Sequence, residues 1–392
     1  MNTTTNSQLP AALRLIVTGG GTGGHTYPAL TTIRTLQARL AGDGRTLDVL
    51  WIGTSEGLEA RVTAAEGIAF ATVVTGKIRR SSNPLKMASP ANVRDMARVP
   101  LGVAQARKAV ARFRPDVVLA TGGYVAVPTG LAARMCKVPL VLHEQTVRLG
   151  LANRQLAGSA ARIALSSESS LPLLPQGVRS VAVVTGNPVR SEVLSGHPDK
   201  AVSALGLRFD RRLPTVYVTG GAQGAQQINE LVGGELPWLL ERANVVHQCG
   251  PAHHEALAAR AAGLPAALTA RYHLTPFVGP ELPDVLALAD LVISRSGAGT
   301  LAELTALGKP AVFVPLASAA GDEQAHNARH LQESGAAVAL LGDVAGGHLR
   351  EAVGPLLEDP VRREAMAAAA KAHGRPDAAD RLVDVLLSAA SW

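Results

Sequence analysis

The chain has 392 residues, of which 47% are hydrophobic, 18% charged and 3% aromatic, enough apolar material for two domains and too much for a disordered chain. Its net charge of +7 is unevenly divided: residues 1–190 carry 22 Lys and Arg against 9 Asp and Glu, whereas residues 191–392 carry 16 against 22. The basic half predicts an anionic partner surface; with few aromatic platforms and no nucleic-acid motif, a membrane face suits it and nucleic acid does not. No run reaches the ~20 apolar residues of a membrane span. Residues 1–10 lack the basic start and apolar core of a signal peptide, so a cytosolic protein with a frayed N-terminal tail is expected. The two cysteines, Cys136 and Cys249, form no C-x-x-C pair and read as small apolar groups, with neither a zinc site nor a disulfide framework.

The first half alternates short apolar runs with helical stretches. Residues 13–18 read as a buried strand, followed by Gly19-Gly20-Gly21-Thr22-Gly23-Gly24-His25 and a helix that starts near Pro28 and continues over 29–40. Glycines there let backbone N–H groups approach an anion, and a helix N-terminus adds partial positive charge. His25 is placed at the lip of that loop. Residues 47–53 and 68–74 are strands flanking a short helix at 58–65, and 116–121, 139–143, 162–166 and 181–185 continue the series. Each run is short and rich in Val, Ile and Leu, the pattern of strands buried on both faces of a parallel sheet.

Between the third and fourth strands, residues 77–87 interleave Lys77, Arg79, Arg80 and Lys86 with Ile78, Leu85 and Met87. This stretch reads either as a solvated loop or as a shallow contact with lipid head groups. Residues 94–114 follow as a basic, solvated helix. Thr121-Gly122-Gly123-Tyr124 closes the fourth strand and His143-Glu144-Gln145-Thr146 the fifth. In open α/β sheets ligands bind beyond the carboxyl ends of the strands, so the turns at 19–25, 121–124 and 143–146 predict one site. Gly186-Asn187-Pro188-Val189-Arg190 ends this half, and the polar stretch 194–212 is read as irregular chain at a domain boundary.

The second half restarts the pattern with a strand at 214–219, the turn Gly220-Gly221-Ala222-Gln223-Gly224-Ala225, and a helix from Gln226. A strand at 244–248, a helix at 253–262, a strand around Phe277 and a helix at 282–289 follow. After a strand at 291–294, Arg295-Ser296-Gly297-Ala298-Gly299-Thr300 opens a helix that carries Glu303. A strand at 311–315, a loop at 317–324, a helix at 324–333, a strand at 337–341 and helices at 348–358 and 361–371 complete the series. Residues 377–391 carry Ala378, Leu382, Val383, Val385 and Leu386 as a helical apolar stripe. The pattern predicts an α/β fold of two Rossmann-like, doubly wound parallel-sheet domains facing a cleft.

A dinucleotide oxidoreductase would need an acid at the tip of the second strand to hold a ribose. That strand ends Trp51-Ile52-Gly53-Thr54-Ser55, and Glu56 falls inside the next loop. No Gly-Lys-Ser/Thr follows any glycine turn, and no D-x-D pair is present to hold a metal on a diphosphate. Phosphate charge must then be met by backbone N–H groups, helix N-termini and arginine, with no metal and no cofactor.

Taken together and in order, these motifs, with Asn229 and Gln324 followed by Asn327-Ala328, make the chain resemble the MurG family of bacterial glycosyltransferases, which add N-acetylglucosamine to lipid I to make lipid II. The resemblance covers nearly the whole chain. It implies a GT-B fold, with residues 1–188 plus a returning terminal helix at 376–392 as the acceptor and membrane-facing domain, and 189–375 as the UDP-sugar-binding domain. It implies an inverting, metal-independent transfer from UDP-GlcNAc to the C4 hydroxyl of MurNAc in lipid I. The enzyme would sit peripherally at the cytoplasmic face of the cell membrane, among cell-wall synthesis and division proteins.

Residue roles follow from the same resemblance. Arg190 and Val278 match positions that contact the nucleotide. Ala298, Gly299, Thr300, Leu301, Ala302 and Glu303 form a helix start aimed at the diphosphate, with Glu303 suited to ribose hydroxyls and Gln324 to sugar hydroxyls. Thr22, Gly23 and Gly24 would line the donor from the other domain. His25 is the expected base, since an unperturbed imidazole, with a pKa of about 6.5, suits proton uptake near neutrality, and Glu144 is its rival. His25, Tyr124 and His143 would shape the acceptor side. Ala222 stands where the family often has serine, and Thr146 replaces a common asparagine, so their donor contacts are the least secured. Another GT-B glycosyltransferase, or a nucleotide-sugar sensor without catalysis, are the competing readings.

Overall fold

The computed structural model describes residues 12–76, 90–316 and 322–392. The basic stretch 77–87, the N-terminal tail and most of the loop 317–324 lie outside the described residues. The chain forms two compact units, Met1–Pro188 with Asp377–Trp392, and Val189–Pro376.

In the first unit the strands are β1 (Ala12–Thr18), β2 (Thr46–Gly53), β3 (Ala69–Thr72), β4 (Val117–Ala120), β5 (Leu140–Glu144), β6 (Arg162–Leu165) and β7 (Ala182–Val184). All pair in parallel, in the order β3-β2-β1-β4-β5-β6-β7. The helices are α1 (Gly23–Gly42), α2 (Leu58–Ala65), α3 (Pro90–Phe113), α4 (Ala126–Met135) and α5 (Leu151–Leu156). Side chains alternate across the sheet, as strand geometry requires. Leu13, Leu15, Val17, Val117, Leu119 and Val141 face α1 through Ala29, Ile33 and Leu36. Ile16, Val118, Ala120, Leu140 and Leu142 face the other layer, with Ala106 and Val110 of α3 and Ala132 of α4. The α1 face is completed from far along the chain by the helix Ala378–Ala390, whose Leu382, Val383, Val385 and Leu386 join that layer.

The second unit repeats the design with β8 (Thr215–Thr219), β9 (Asn244–Gln248), β10 (Tyr272–Thr275), β11 (Leu291–Ser294), β12 (Ala311–Phe313) and β13 (Val338–Ala339), in the order β10-β9-β8-β11-β12-β13. Its helices are α6 (Pro198–Ala204), α7 (Gln226–Gly234), α8 (Leu236–Leu240), α9 (His254–Ala262), α10 (Ala266–Thr269), α11 (Leu282–Leu288), α12 (Ala298–Leu307), α13 (Glu323–Glu333), α14 (Gly346–Glu358) and α15 (Pro360–His373). The helix Ala378–Ala390 is therefore α16. Val216, Val218, Leu291 and Ile293 pack against Ile228 and Val232 of α7, while Tyr217, Val292 and Phe313 pack on the opposite face with Leu304 of α12.

Three expectations change. α1 starts at Gly23, not near Pro28, because Thr22 is extended (φ −143°, ψ 158°) and its carbonyl already accepts the N–H groups of His25 and Thr26. Pro28 thus lies inside the helix. Residues 194–212 are not irregular throughout: α6 lies there, and Ala201 and Leu207, like Val193 just before them, are buried in the second unit's core. The strand sought around Phe277 ends earlier, at Thr275, and Phe277 is 55% exposed.

Candidate active site

Strand order reverses between β1 and β4 in the first unit and between β8 and β11 in the second. Such switch points open a crevice beyond the carboxyl ends of the strands, because successive crossovers leave in opposite directions. The glycine turns after β1 and β4 meet at the first. Gly20 N–H donates to Gly122 O at 3.3 Å, and a Cβ on Gly123 (φ +84°) would sit 2.5 Å from the Gly20 carbonyl. Only glycine allows that approach. Two residues to which the sequence reading gave no role hold the β1 turn. The Trp51 indole donates to Gly19 O at 3.2 Å, and the buried Glu59 carboxylate accepts Gly21 N–H at 3.1 Å and Thr54 N–H and hydroxyl at 3.0 and 2.8 Å. Burial pushes the Glu59 carboxyl up, but those bonds outweigh it and hold it below the ordinary value.

The turn leads into the N-terminus of α1. Thr22 is an N-cap with no side-chain cap bond, and the exposed Gly24 follows in the first turn. The backbone N–H groups of Thr22, Gly23 and Gly24 therefore precede the first helical hydrogen bonds, an arrangement that receives anions. His25 stands one position further on. Its carbonyl accepts the Thr121 hydroxyl at 2.9 Å, and its ring Nδ1 lies 3.1 Å from Gln145 Oε1. Gln145 Nε2 in turn lies 3.0 Å from His143 Nδ1, and His143 Nε2 lies 3.1 Å from the Gly186 carbonyl. His143 is fully buried, and burial pulls its pKa down to about 4 against the pull of the Gly186 bond. It cannot touch an acceptor directly, which corrects its expected place on the acceptor side. Tyr124, by contrast, is 42% exposed at the end of its turn.

Glu144 does not offer a base. It is 2% exposed, and both carboxylate oxygens are already engaged by neighbouring donors. Oε1 takes Thr146 N–H and hydroxyl at 3.1 and 2.8 Å; Oε2 takes Gly150 N–H and Asn153 Nδ2 at 2.8 and 2.9 Å. It organises the loop after β5, and the Thr146 hydroxyl shares its one proton between Glu144 Oε1 and the Arg148 carbonyl within that loop.

The second unit has a matching arrangement. The turn after β8 leaves Ala222 exposed, and Gln248 ties it down, donating to Thr219 Oγ1 at 3.1 Å and Gly221 O at 2.9 Å. Gln248 Oε1 also accepts the N–H of buried Val278 at 2.8 Å, so any reading of a base by Val278 falls to its carbonyl. Beyond β11, Gly297 caps α12 without a side-chain bond, leaving the first-turn N–H groups of Ala298, Gly299 and Thr300 on offer, with Leu301 and Ala302 behind them. Glu303 on that helix receives Arg190 Nε and Nη2 on one oxygen, Oε1, at 2.9 and 2.7 Å. Gln324 Oε1 accepts Leu316 N–H at 2.9 Å, so the carboxamide's donor end is what it can present. Arg295 is a strut: one guanidinium nitrogen reaches Gln227 Oε1 and the Val314 and Pro315 carbonyls at 2.8–3.0 Å. Asn229 likewise bonds Cys249 O at 2.8 Å and His247 at 3.0 Å. None of Glu59, Trp51 or Gln248 was given a role from the sequence, because each holds a turn 27 to 38 positions away along the chain.

Two doubly wound sheets, each with a glycine turn and an uncapped helix start at its switch point, are the two halves of a protein of the GT-B fold class. The glycosyltransferase family 28 N-terminal domain matches residues 15–165, and the glycosyltransferase family 28 C-terminal domain matches residues 215–382. The chain belongs to glycosyltransferase family 28, in its MurG group. A relative from Moorella thermoacetica is 39% identical over 384 residues, spanning 96% of this chain and 98% of its own. One from Lacticaseibacillus casei is 36% identical over 376 residues, spanning 95% and 98%. Both are named UDP-N-acetylglucosamine--N-acetylmuramyl-(pentapeptide) pyrophosphoryl-undecaprenol N-acetylglucosamine transferase. The solved MurG of Acinetobacter baumannii superposes with a TM-score of 0.75 at 29% identity, covering 96% of this chain and 99% of that one.

Proposed function

We propose that the chain transfers N-acetylglucosamine from UDP-GlcNAc to the C4 hydroxyl of MurNAc in lipid I, giving lipid II. The observation that carries this is the likeness, along nearly the full length of both chains, to transferases named for that step. In this reading the first unit takes the lipid-linked acceptor and the second holds the nucleotide sugar. His25 takes the proton of the acceptor hydroxyl as its oxygen bonds C1 of the sugar. The bond from C1 to the β-phosphate oxygen breaks, its electron pair leaves with UDP, and C1 is inverted. The charge that grows on UDP meets the first-turn N–H groups of α12, a contribution of roughly 0.3–2 kcal/mol. Arg190 sets the Glu303 carboxylate so that its second oxygen faces the ribose hydroxyls. Thr22, Gly23, Gly24, Ala222 and Gln324 are assigned to the donor's phosphates and sugar, and Tyr124 to the acceptor.

The test is transfer by the purified chain from UDP-GlcNAc to a lipid I analogue, run beside other glycolipid acceptors. UDP release that depends on lipid I, and that falls by roughly 10²–10⁴-fold in His25→Ala, supports the reading. Binding of UDP-GlcNAc with transfer only to another acceptor overturns it.

We infer also that the enzyme works peripherally on the anionic, cytoplasmic face of the cell membrane, beside other cell-wall synthesis and division proteins. Among the described residues no helix is long and apolar enough to cross a membrane. The excess of 22 basic over 9 acidic residues in positions 1–190 supports surface attraction. Vesicles containing anionic lipid should bind the protein more tightly than neutral ones, and salt should weaken that preference. Equal binding to both overturns the electrostatic part.

A further inference from the structure

The hydrogen bonds behind His25 decide which of its ring nitrogens carries a proton. At the far end, the Gly186 carbonyl can only accept, so His143 Nε2 must carry a hydrogen. The Gln145 amide nitrogen lies 3.3 Å from the His143 carbonyl as well as 3.0 Å from His143 Nδ1. A carbonyl again only accepts, so the NH₂ end of the amide must lie on that side; a flipped amide would set oxygen against oxygen. His143 Nδ1 is therefore an acceptor and the His143 ring is neutral. Gln145 Oε1 is left facing His25 Nδ1, and an oxygen there requires a donor. Gly122 (φ +108°) leaves the ring its place on the other side, since a Cβ there would lie 2.9 Å from its Cε1 and 3.0 Å from Nδ1. Among the described residues His25 Nε2 has no partner.

We propose that Gln145 is a positioning residue that holds neutral His25 as the Nδ1–H tautomer and so keeps the Nε2 lone pair ready for the acceptor's proton. This rests on His25 being the base. A carboxamide suits the task because it accepts the Nδ1–H bond in both protonation states of the ring. It adds no full negative charge, which would hold the proton too tightly for the base to be regenerated near neutrality.

Two measurements test it. Nitrogen-15 NMR of histidine-labelled protein, with the His25 signals assigned by their loss in His25→Ala, separates protonated from bare ring nitrogens. The expected result is Nδ1–H with bare Nε2 in the wild type, and a shift towards Nε2–H in Gln145→Met. In activity, Gln145→Met should lower kcat roughly 10- to 100-fold with the KM for UDP-GlcNAc unchanged. Gln145→Glu should move the acid limb of the pH profile up by about one unit, because a carboxylate beside the ring favours its charged form. A merely structural role for Gln145 would lower activity without moving that limb. An Nε2–H signal for His25 in the wild type, or an unmoved limb in Gln145→Glu, overturns the proposal. Full activity of His25→Ala with the Nδ1–H tautomer intact in the wild type would instead overturn the base role on which it rests.

Discussion

Glu59 shows how one side chain can hold a backbone shape on which chemistry depends. Its two oxygens bind the N–H of Gly21 and the N–H and hydroxyl of Thr54, and a Cβ on Gly20 would overlap the carboxylate. Glu59→Gln keeps the volume but leaves one of its ends with the wrong polarity, either an NH₂ against Gly21 N–H or one against Thr54 N–H. The expected loss is about 1–3 kcal/mol of stability, read as a lower midpoint in urea, together with weaker turnover. An unchanged midpoint would mean that the turn does not need the carboxylate. Legibility at this scale divides by burial. Tyr124, expected at the close of the fourth strand's turn, is exposed there, and His25, expected at the lip of its loop, is half-buried. His143 and Glu144 were read as site groups because polar residues at the tip of a strand usually face a ligand. Sequence cannot show that Asn153, Gly150 and Gln145 close over them from the following loop and helix.

Among elements, α16 makes the sharpest case. Its apolar stripe was visible as a helical period, and it packs Leu382, Val383, Val385 and Leu386 onto the α1 side of the first sheet, with Arg39 of α1 paired to Asp384. The exposed ion pair adds little, whereas the buried leucines supply the attachment. Leu382→Ala, at a fully buried position, should lower the first unit's stability by about 2–5 kcal/mol, while Arg39→Ala should stay within about 1 kcal/mol. Urea unfolding of both variants checks the ranking, and the reverse order would assign the attachment to charge. The central strands were legible because their runs of Val, Ile and Leu are buried on both faces. β10 was misplaced since it is an edge strand whose four residues are only half-buried. α6 was missed since one residue, Ala201, is all it buries.

At the scale of the molecule, each unit buries a neutral histidine. His143 lies in the first and His247 in the second, and burial draws both from 6.5 to about 4. His247 sits between Asn229 and the Tyr272 hydroxyl, each 3.0 Å away. Below pH 6.5 the unfolded chain takes up protons that the folded units refuse, so stability is fully present above that value and is lost as pH falls towards about 4. Each histidine gives a slope of about 1.4 kcal/mol per pH unit inside that window. Urea midpoints of both units should therefore drop between about pH 7.5 and about pH 5.5, and His247→Gln should flatten the slope of the second unit alone. Constant midpoints would contradict neutral burial. The return of α16 to the first unit also sets an order of synthesis. Every residue of Val189–Pro376 leaves the ribosome before residues 378–390 do. For roughly 10–40 s at ordinary translation speeds, the α1 side of the first sheet waits without its last cover. The half that is made first is thus the half that is finished last, and a nascent chain stalled before α16 would display Leu119, Val141 and Ala164 at an open seam for chaperones to hold.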